Sequence, residues 1–231
     1  MLEKVSSEQY PWPIIGTFDI ARCALLSIDF QVEYCASDGY FADLGIDTAH
    51  IRSVLGPVAE VLETARAAGM LVVHTREGFR PDLSDCPPTK VARAVERGHP
   101  MGREGRYGRL LVQGEPGWQI VDSVAPAPGE WVVDKPGQGA FYSTDLDLRL
   151  RNRGVDLLVI MGTTADCCVS STIREANDRG YDCLVLTDCV ADVSESRTDS
   201  TIESFRVNPL GATTQRSIFL AALCWPEGAA S

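Results

Sequence analysis

Three polar residues stand where apolar runs break off, and their types suit nucleophilic acyl chemistry. Asp29 ends the run Cys23-Ala24-Leu25-Leu26-Ser27-Ile28, Lys135 closely follows Trp131-Val132-Val133, and Cys168 opens a helical stretch behind the turn Gly162-Thr163-Thr164-Ala165-Asp166. A thiol is a poor nucleophile until it loses its proton. A helix N-terminus offers free N–H groups and about half a positive charge, and a lysine adds a full one, so both favour the thiolate. A carboxylate can take the thiol proton and return it to a departing amine. The turn before Cys168 can aim backbone N–H groups at a developing oxyanion. Each residue also has an ordinary reading: an Asp that caps a turn, a surface Lys ahead of Pro136-Gly137, a core Cys. Cys167 is a rival to its neighbour, because successive helical residues point about 100° apart and only one can face the site.

The chemistry requires a fold that gathers the three. Strand-like runs at 22–28, 70–74, 131–133, 157–161, 184–186 and 211–214 alternate with helical patterns at 51–68, 146–152, 167–179 and 218–223. In the first helical pattern Val54, Val58, Val61, Leu62 and Ala65 recur at helical spacing and Gly69 follows as a stop. The strands are continuous apolar runs without period-two alternation, the pattern of parallel strands buried on both faces. The expected fold class is α/β: a three-layer α/β/α arrangement around an open, doubly wound, mainly parallel six-stranded sheet. Ligands bind such sheets at the C-terminal ends of the strands. Asp29, Lys135 and Cys168 are therefore expected on one rim. The chain reads as a single domain over 1–231 with a long insertion at about 76–130, rich in Gly, Pro and charge, placed over the sheet edge or the pocket.

Composition narrows the field. The formal charge is -11 and no basic block is present, which argues against nucleic acid. No run approaches the roughly 20 apolar residues of a membrane span. Met1 to Gln9 carries no apolar signal core, so the location expected is cytoplasmic. The 8 cysteines include no Cys-x-x-Cys pair and only 3 histidines accompany them, so zinc-ligand spacing is absent and no metal or other cofactor is expected.

Three stretches resemble the isochorismatase-like cysteine hydrolases: Leu26-Ser27-Ile28-Asp29-Phe30-Gln31, Val133-Asp134-Lys135-Pro136-Gly137-Gln138-Gly139-Ala140-Phe141, and Gly162-Thr163-Thr164-Ala165-Asp166-Cys167-Cys168-Val169. The third follows the family pattern Gly-x-x-Thr-Asp-x-Cys-Val, with Ala165 at the usual Thr and Cys167 at the variable position. The resemblance implies that Asp29, Lys135 and Cys168 are catalytic. It implies a cis peptide at Thr163–Thr164 and an oxyanion hole made by the N–H groups of Thr164 and Cys168. It further implies a homodimer or homotetramer acting on a small-molecule amide. The metal-binding nicotinamidase branch pairs an Asp with two His, and His50, His74 and His99 do not supply that set.

Further stretches are similar to biuret and triuret hydrolases: Tyr10-Pro11-Trp12-Pro13, the run from His74 to Leu83, Gly114-Glu115-Pro116-Gly117-Trp118, and the run from Arg174 to Tyr181. The expected activity is thus cleavage of a C–N bond in biuret or triuret, with release of ammonia. Gln138 stands where those enzymes have a second lysine, and Asn208-Pro209-Leu210 where they have Gln-Gly-Gly. Both departures motivate alternatives: a hydrolase of another ureido amide such as ureidoacrylate, or a non-catalytic member. Vinyl-ether hydrolysis of isochorismate uses the same fold without a cysteine nucleophile. Gln31, Arg76, Gln138, Phe141 and Asn208 are the candidate substrate-binding residues.

Overall fold

A computed structural model describes residues 3–208 and 210–224. The elements in chain order are β1 (Cys23–Ile28), α1 (Val32–Cys35), α2 (Tyr40–Asp43), α3 (Ala49–Ser53), α4 (Leu55–Ala67), β2 (Leu71–Glu77) and α5 (Pro88–Glu96). A small hairpin follows, β3 (Glu104–Gly105) with β4 (Gly108–Arg109). Then come β5 (Trp131–Lys135), α6 (Leu146–Asn152), β6 (Leu157–Thr163), α7 (Ser170–Asp178), β7 (Asp182–Ala191), α8 (Glu195–Val207), β8 (Ala212–Thr214) and α9 (Arg216–Leu223). The main sheet has six strands in the order β5-β2-β1-β6-β7-β8, and every neighbouring pair is parallel.

Every residue of β1 and of β6 is buried, so the apolar runs do mark strands covered on both faces. Alternate residues feed opposite layers. Leu25 shares one buried cluster with Val58, Val61 and Leu62 of α4 and Phe219 of α9, whereas Leu26 shares another with Leu150 of α6 and Ile173 of α7. The chain builds the sheet outward from β1 through β2 to β5, then returns to lay β6, β7 and β8 on the other side. The order reverses between β1 and β6, and a doubly wound sheet opens its binding crevice at that switch point. The two strands approach closely there: a Cβ on Gly162 would lie 2.6 Å from Ile28 Cβ and 2.8 Å from Ile28 O.

Four elements differ from the sequence reading for identifiable reasons. The periodic stretch at 51–68 is two helices, α3 and α4, because Pro57 has no N–H to give the carbonyl of Ser53. Strand β2 runs to Glu77, three residues past the expected end, since His74 and Thr75 gain partners on both β1 and β5 and Arg76 and Glu77 gain partners on β5. Helix α8 has a weak apolar face, with Thr198, Thr201, Ile202 and Phe205 as its buried residues. The segment 76–130 holds α5, the β3–β4 hairpin and two 3₁₀ turns, and buries Phe79, Leu110, Leu111, Val112, Trp118 and Ile120. Among the described residues no helix is long and apolar enough to cross a membrane.

Candidate active site

The ends of β1, β2 and β5 and the segment after β6 converge on one buried ionic cluster. Asp29 directly follows β1 and adopts φ +55°, a left-handed conformation that a non-glycine residue takes at some cost. Its N–H donates to Thr75 O at 3.2 Å, and Thr75 Oγ1 donates to Asp29 Oδ1 at 2.5 Å. Lys135, the last residue of β5, places Nζ 2.6 Å from Asp29 Oδ2. Its remaining protons go to the carbonyls of Gly137 and Gln138, each at 2.9 Å. Both side chains are 0% exposed.

Cys168 lies on a π-helical turn, Ala165–Val169, that leads into α7, and the peptide between Thr163 and Thr164 at its entrance is cis. Thr164 O accepts from the N–H groups of Cys167 at 3.3 Å and Val169 at 3.2 Å. The Cys168 carbonyl accepts from Thr172 Oγ1 at 2.7 Å. The structure separates the two adjacent cysteines. Cys168 is 4% exposed and its Sγ enters the ionic cluster. Cys167 is half-buried, its Sγ donates to Asp166 Oδ1 at 3.1 Å, and burial together with that carboxylate pushes its thiol up to about 11.

Sequence reasoning missed the fourth member, Glu77. Cys168 Sγ donates to Glu77 Oε2 at 3.6 Å, and Tyr34 Oη to the same oxygen at 3.4 Å. Lys90, carried in by α5 of the long insertion, donates to Glu77 Oε1 at 3.2 Å and to Pro136 O at 3.3 Å. Gln31 locks the end of β2: its Oε1 accepts from Glu77 N–H at 2.7 Å while its Nε2 donates to the carbonyls of Glu77 and Trp118 at 2.9 and 3.0 Å. One signal pointed to Glu77, a carboxylate at a strand's C-terminal end like Asp29, but the apolar run stops at His74 and hides the strand's true length.

Burial sets the proton positions. It raises the Cys168 thiol well above its usual range, against the pull of Lys135. It likewise holds Asp29 above the ordinary carboxylate range despite Lys135, which makes Asp29 the stronger base. Burial would raise Glu77 too, but Lys135 and Lys90 outweigh it and keep this carboxylate below its ordinary value. Burial acts downward on Lys135, yet the surrounding Asp29, Cys168 and Glu77 hold its ammonium firmly charged. The resting cluster therefore holds a neutral thiol between Asp29 and Glu77, with Lys135 and Lys90 set against them. One ligand atom each from Asp29, Glu77 and Cys168 lies within 4.8 Å of the others. Each carboxylate already faces an ammonium group, so the set suits proton transfer better than chelation.

The other candidates are placed as follows. Gln31 is 0% exposed and its amide is spent on the clamp. Arg76 precedes Glu77 and so points to the opposite face. There it bonds Asp134 at 2.8 Å and Gln119 at 2.9 Å, with its guanidinium 3.5 Å from the Trp118 ring centroid. Gln138 is exposed and lends its carbonyl to Lys135. Phe141 is buried, its ring 5.5 Å from that of Tyr181. Asn208 is exposed and caps α8, donating from Nδ2 to Ser204 O at 2.8 Å, while its neighbour Pro209 lies outside the described residues.

Comparison with known proteins shows the family. The isochorismatase domain family matches residues 23–217. A ureidoacrylate amidohydrolase, RutB, of Methylorubrum extorquens is 34% identical over 184 residues, 77% of this chain and 72% of the relative. The fold is shared with a cysteine hydrolase from Pseudomonas syringae pv. phaseolicola 1448A, at a TM-score of 0.78 and 23% identity over 94% of this chain and 98% of that one. An isochorismatase family protein from Desulfovibrio vulgaris subsp. vulgaris str. Hildenborough superposes at a TM-score of 0.71 and 27% identity, over 88% of this chain and 99% of that one.

Proposed function

This chain belongs to the isochorismatase family of hydrolases, and from that footing we propose that it is a cysteine-dependent amidohydrolase that cleaves a C–N bond of a small ureido acid of the ureidoacrylate type. The observation that carries the reading is the buried cluster in which Cys168 Sγ meets carboxylates, with Lys135 Nζ 2.6 Å from Asp29. The ureidoacrylate amidohydrolase relative supports the substrate class.

In the proposed cycle Asp29 takes the proton of Cys168, helped by its raised proton affinity and by the cation of Lys135. The thiolate attacks the ureido carbonyl carbon, and the N–H groups of Thr164 and Cys168 receive the oxyanion. Collapse breaks the C–N bond as Asp29 returns its proton to the departing nitrogen. The enzyme is left as a carbamoyl thioester. Asp29 then deprotonates a water that attacks this thioester, and the thiol leaves reprotonated. The released carbamate decomposes to carbon dioxide and ammonia. Removal of Lys135 would leave Asp29 without its 2.6 Å partner, so Lys135 serves the base as much as the nucleophile.

A second reading, biuret or triuret as substrate, is favoured by one observation. Lys135 and Lys90 each already face a carboxylate, so neither is free to bind a substrate carboxylate, and the cluster suits a neutral ureido compound. Ammonia release separates the readings. Wild type, Cys168→Ala and Cys167→Ala are assayed on ureidoacrylate, biuret, triuret and nicotinamide. The proposal expects turnover of a ureido compound, lost in Cys168→Ala and kept in Cys167→Ala. Turnover of nicotinamide alone, or survival of activity in Cys168→Ala, would refute it.

A further inference from the structure

The carbon attacked by a cysteine hydrolase carries three substituents: the oxygen that becomes the oxyanion, the nitrogen that leaves, and a third group that stays. In a ureido compound the third group is a nitrogen with a hydrogen to donate. In an ordinary carboxamide it is a carbon. Two carboxylates adjoin Cys168, and the mechanism above uses one. Asp29 serves the proton that travels to the leaving nitrogen. Glu77 reaches Sγ from the end of the neighbouring strand, and the ligand atoms of Asp29, Glu77 and Cys168 lie within 4.8 Å of one another.

We propose that Glu77 selects ureido substrates by accepting a hydrogen bond from the nitrogen that stays on the attacked carbon. This rests on the reading of the chain as a ureido amidohydrolase and adds the residue that makes it one. The environment of Glu77 fits an acceptor held ready. Its backbone is fixed on both sides by Gln31, and Lys90 holds Oε1 at 3.2 Å. Among the described residues Oε2 accepts long contacts, from Cys168 Sγ at 3.6 Å and Tyr34 Oη at 3.4 Å. Both carboxylate oxygens belong to a side chain only 10% exposed, which water serves poorly.

Proton transfer from Cys168 to Asp29 removes one of those two donors and sets a thiolate beside Glu77. An N–H on the substrate replaces the lost donor and lies between the two negative groups. A CH₂ in its place leaves a buried carboxylate oxygen short of a partner while it faces a thiolate. A site built around a hydrogen bond rejects the analogue that lacks it far more strongly than an apolar pocket rejects an extra methylene. Lys135 and Lys90 hold Glu77 below its ordinary value, so the acceptor is a full carboxylate.

The test uses a substrate pair that differs by one exchange of N–H for CH₂ at the group that stays on the attacked carbon when ammonia leaves: biuret against malonamide. Ammonia release gives kcat/KM for each member in wild type, Glu77→Gln and Glu77→Asp. The last keeps the charge for Lys90 and withdraws the acceptor by one methylene, so it guards against a fold lost through an unpaired lysine. Wild type is expected to prefer the ureido member by about 100-fold or more. Both variants are expected to lose at least about tenfold on the ureido member and less than about threefold on its carboxamide partner. Calorimetry on Cys168→Ala supplies a readout independent of turnover: biuret binds more tightly than malonamide, and the added Glu77→Gln removes most of that difference. Equal losses on both members, with wild-type ureido turnover intact, would overturn the role of Glu77 and leave the function standing. Equal binding of biuret and malonamide to Cys168→Ala would overturn it as well. A wild type that turns over only the carboxamide member would overturn both the role and the function.

Discussion

Replacing Lys135 with Met gives the sharpest test of the ionic cluster, because it removes a charge while nearly keeping the shape. Lys135 and Asp29 are each 0% exposed and 2.6 Å apart. Removing one partner of a buried pair costs about 3–5 kcal/mol, since the other charge stays buried without compensation. For a chain of this size about 1 kcal/mol moves Tm by roughly 2–4 °C, so the expected drop at pH 8 is about 6–20 °C. The pH dependence carries the diagnosis. Asp29 already sits above the ordinary carboxylate range through burial, and loss of Lys135 pushes it further up. A carboxyl raised in the folded state binds its proton more tightly there than in the unfolded chain. Stability then falls as pH rises from the unfolded value of about 4 to the folded one, and recovers on acidification, by up to about 1.4 kcal/mol per pH unit. The Tm deficit of Lys135→Met against wild type should therefore be smaller at pH 5 than at pH 8. Melting curves by circular dichroism at pH 5, 6, 7 and 8 measure it. Adding Asp29→Asn should restore most of the lost stability and none of the ammonia release. A deficit of the same size at every pH, or a double variant no more stable than the single one, would show that Asp29 is not the uncompensated charge.

Other expectations follow from single contacts. Alkylation of Cys168 by iodoacetamide, followed by peptide mass spectrometry, should be slow at pH 7 and rise through the alkaline range, because burial raises the thiol; Lys135→Met should slow it further. Gly162→Ala places a Cβ 2.6 Å from Ile28 Cβ and should cost about 1–3 kcal/mol by overpacking, read as a lower urea midpoint with an unchanged m-value. Burial would raise Glu130, but hydrogen bonds from Arg66, the Ala127 N–H and His74 bring it down to about 2. Its stabilisation is thus present above the unfolded value of about 4.3 and lost as pH falls toward about 2, so Glu130→Gln should flatten the acid limb of the stability profile between pH 5 and 2.

Much of this molecule is a local matter and so can be read along the chain. Strands buried on both faces leave continuous apolar runs, and the residue at which such a run turns polar is the one that emerges on the rim. That rule places Asp29 beyond β1; on β5 the run turns polar at the exposed Asp134, one residue before Lys135 ends the strand, and these two segments together with the stretch Gly162 to Val169 carry the family resemblance. Helix α6 at Leu146–Asn152 coincides with its sequence pattern because Leu146 and Leu150, one turn apart and buried, and a following Gly154 are local signals.

Tertiary structure decided the rest, wherever a residue's partner lies far away in sequence. The last residues of β2, Arg76 and Glu77, are polar and become strand because β5 pairs with them and Gln31 holds them, 46 to 58 positions distant in the contacts Gln31 to Glu77 and Arg76 to Asp134. Glu77 enters the site through that pairing, and Lys90 through the docking of α5. The same long reach turned Gln31 into a clamp for β2. The choice of Cys168 over Cys167 depends on the π-helical turn, whose geometry sends one thiol toward Glu77 and the other toward Asp166. Residue types and their order limit what chemistry is available; which carboxylate meets the sulfur, and which lysine answers it, is settled only when distant strand ends are brought within a few ångströms.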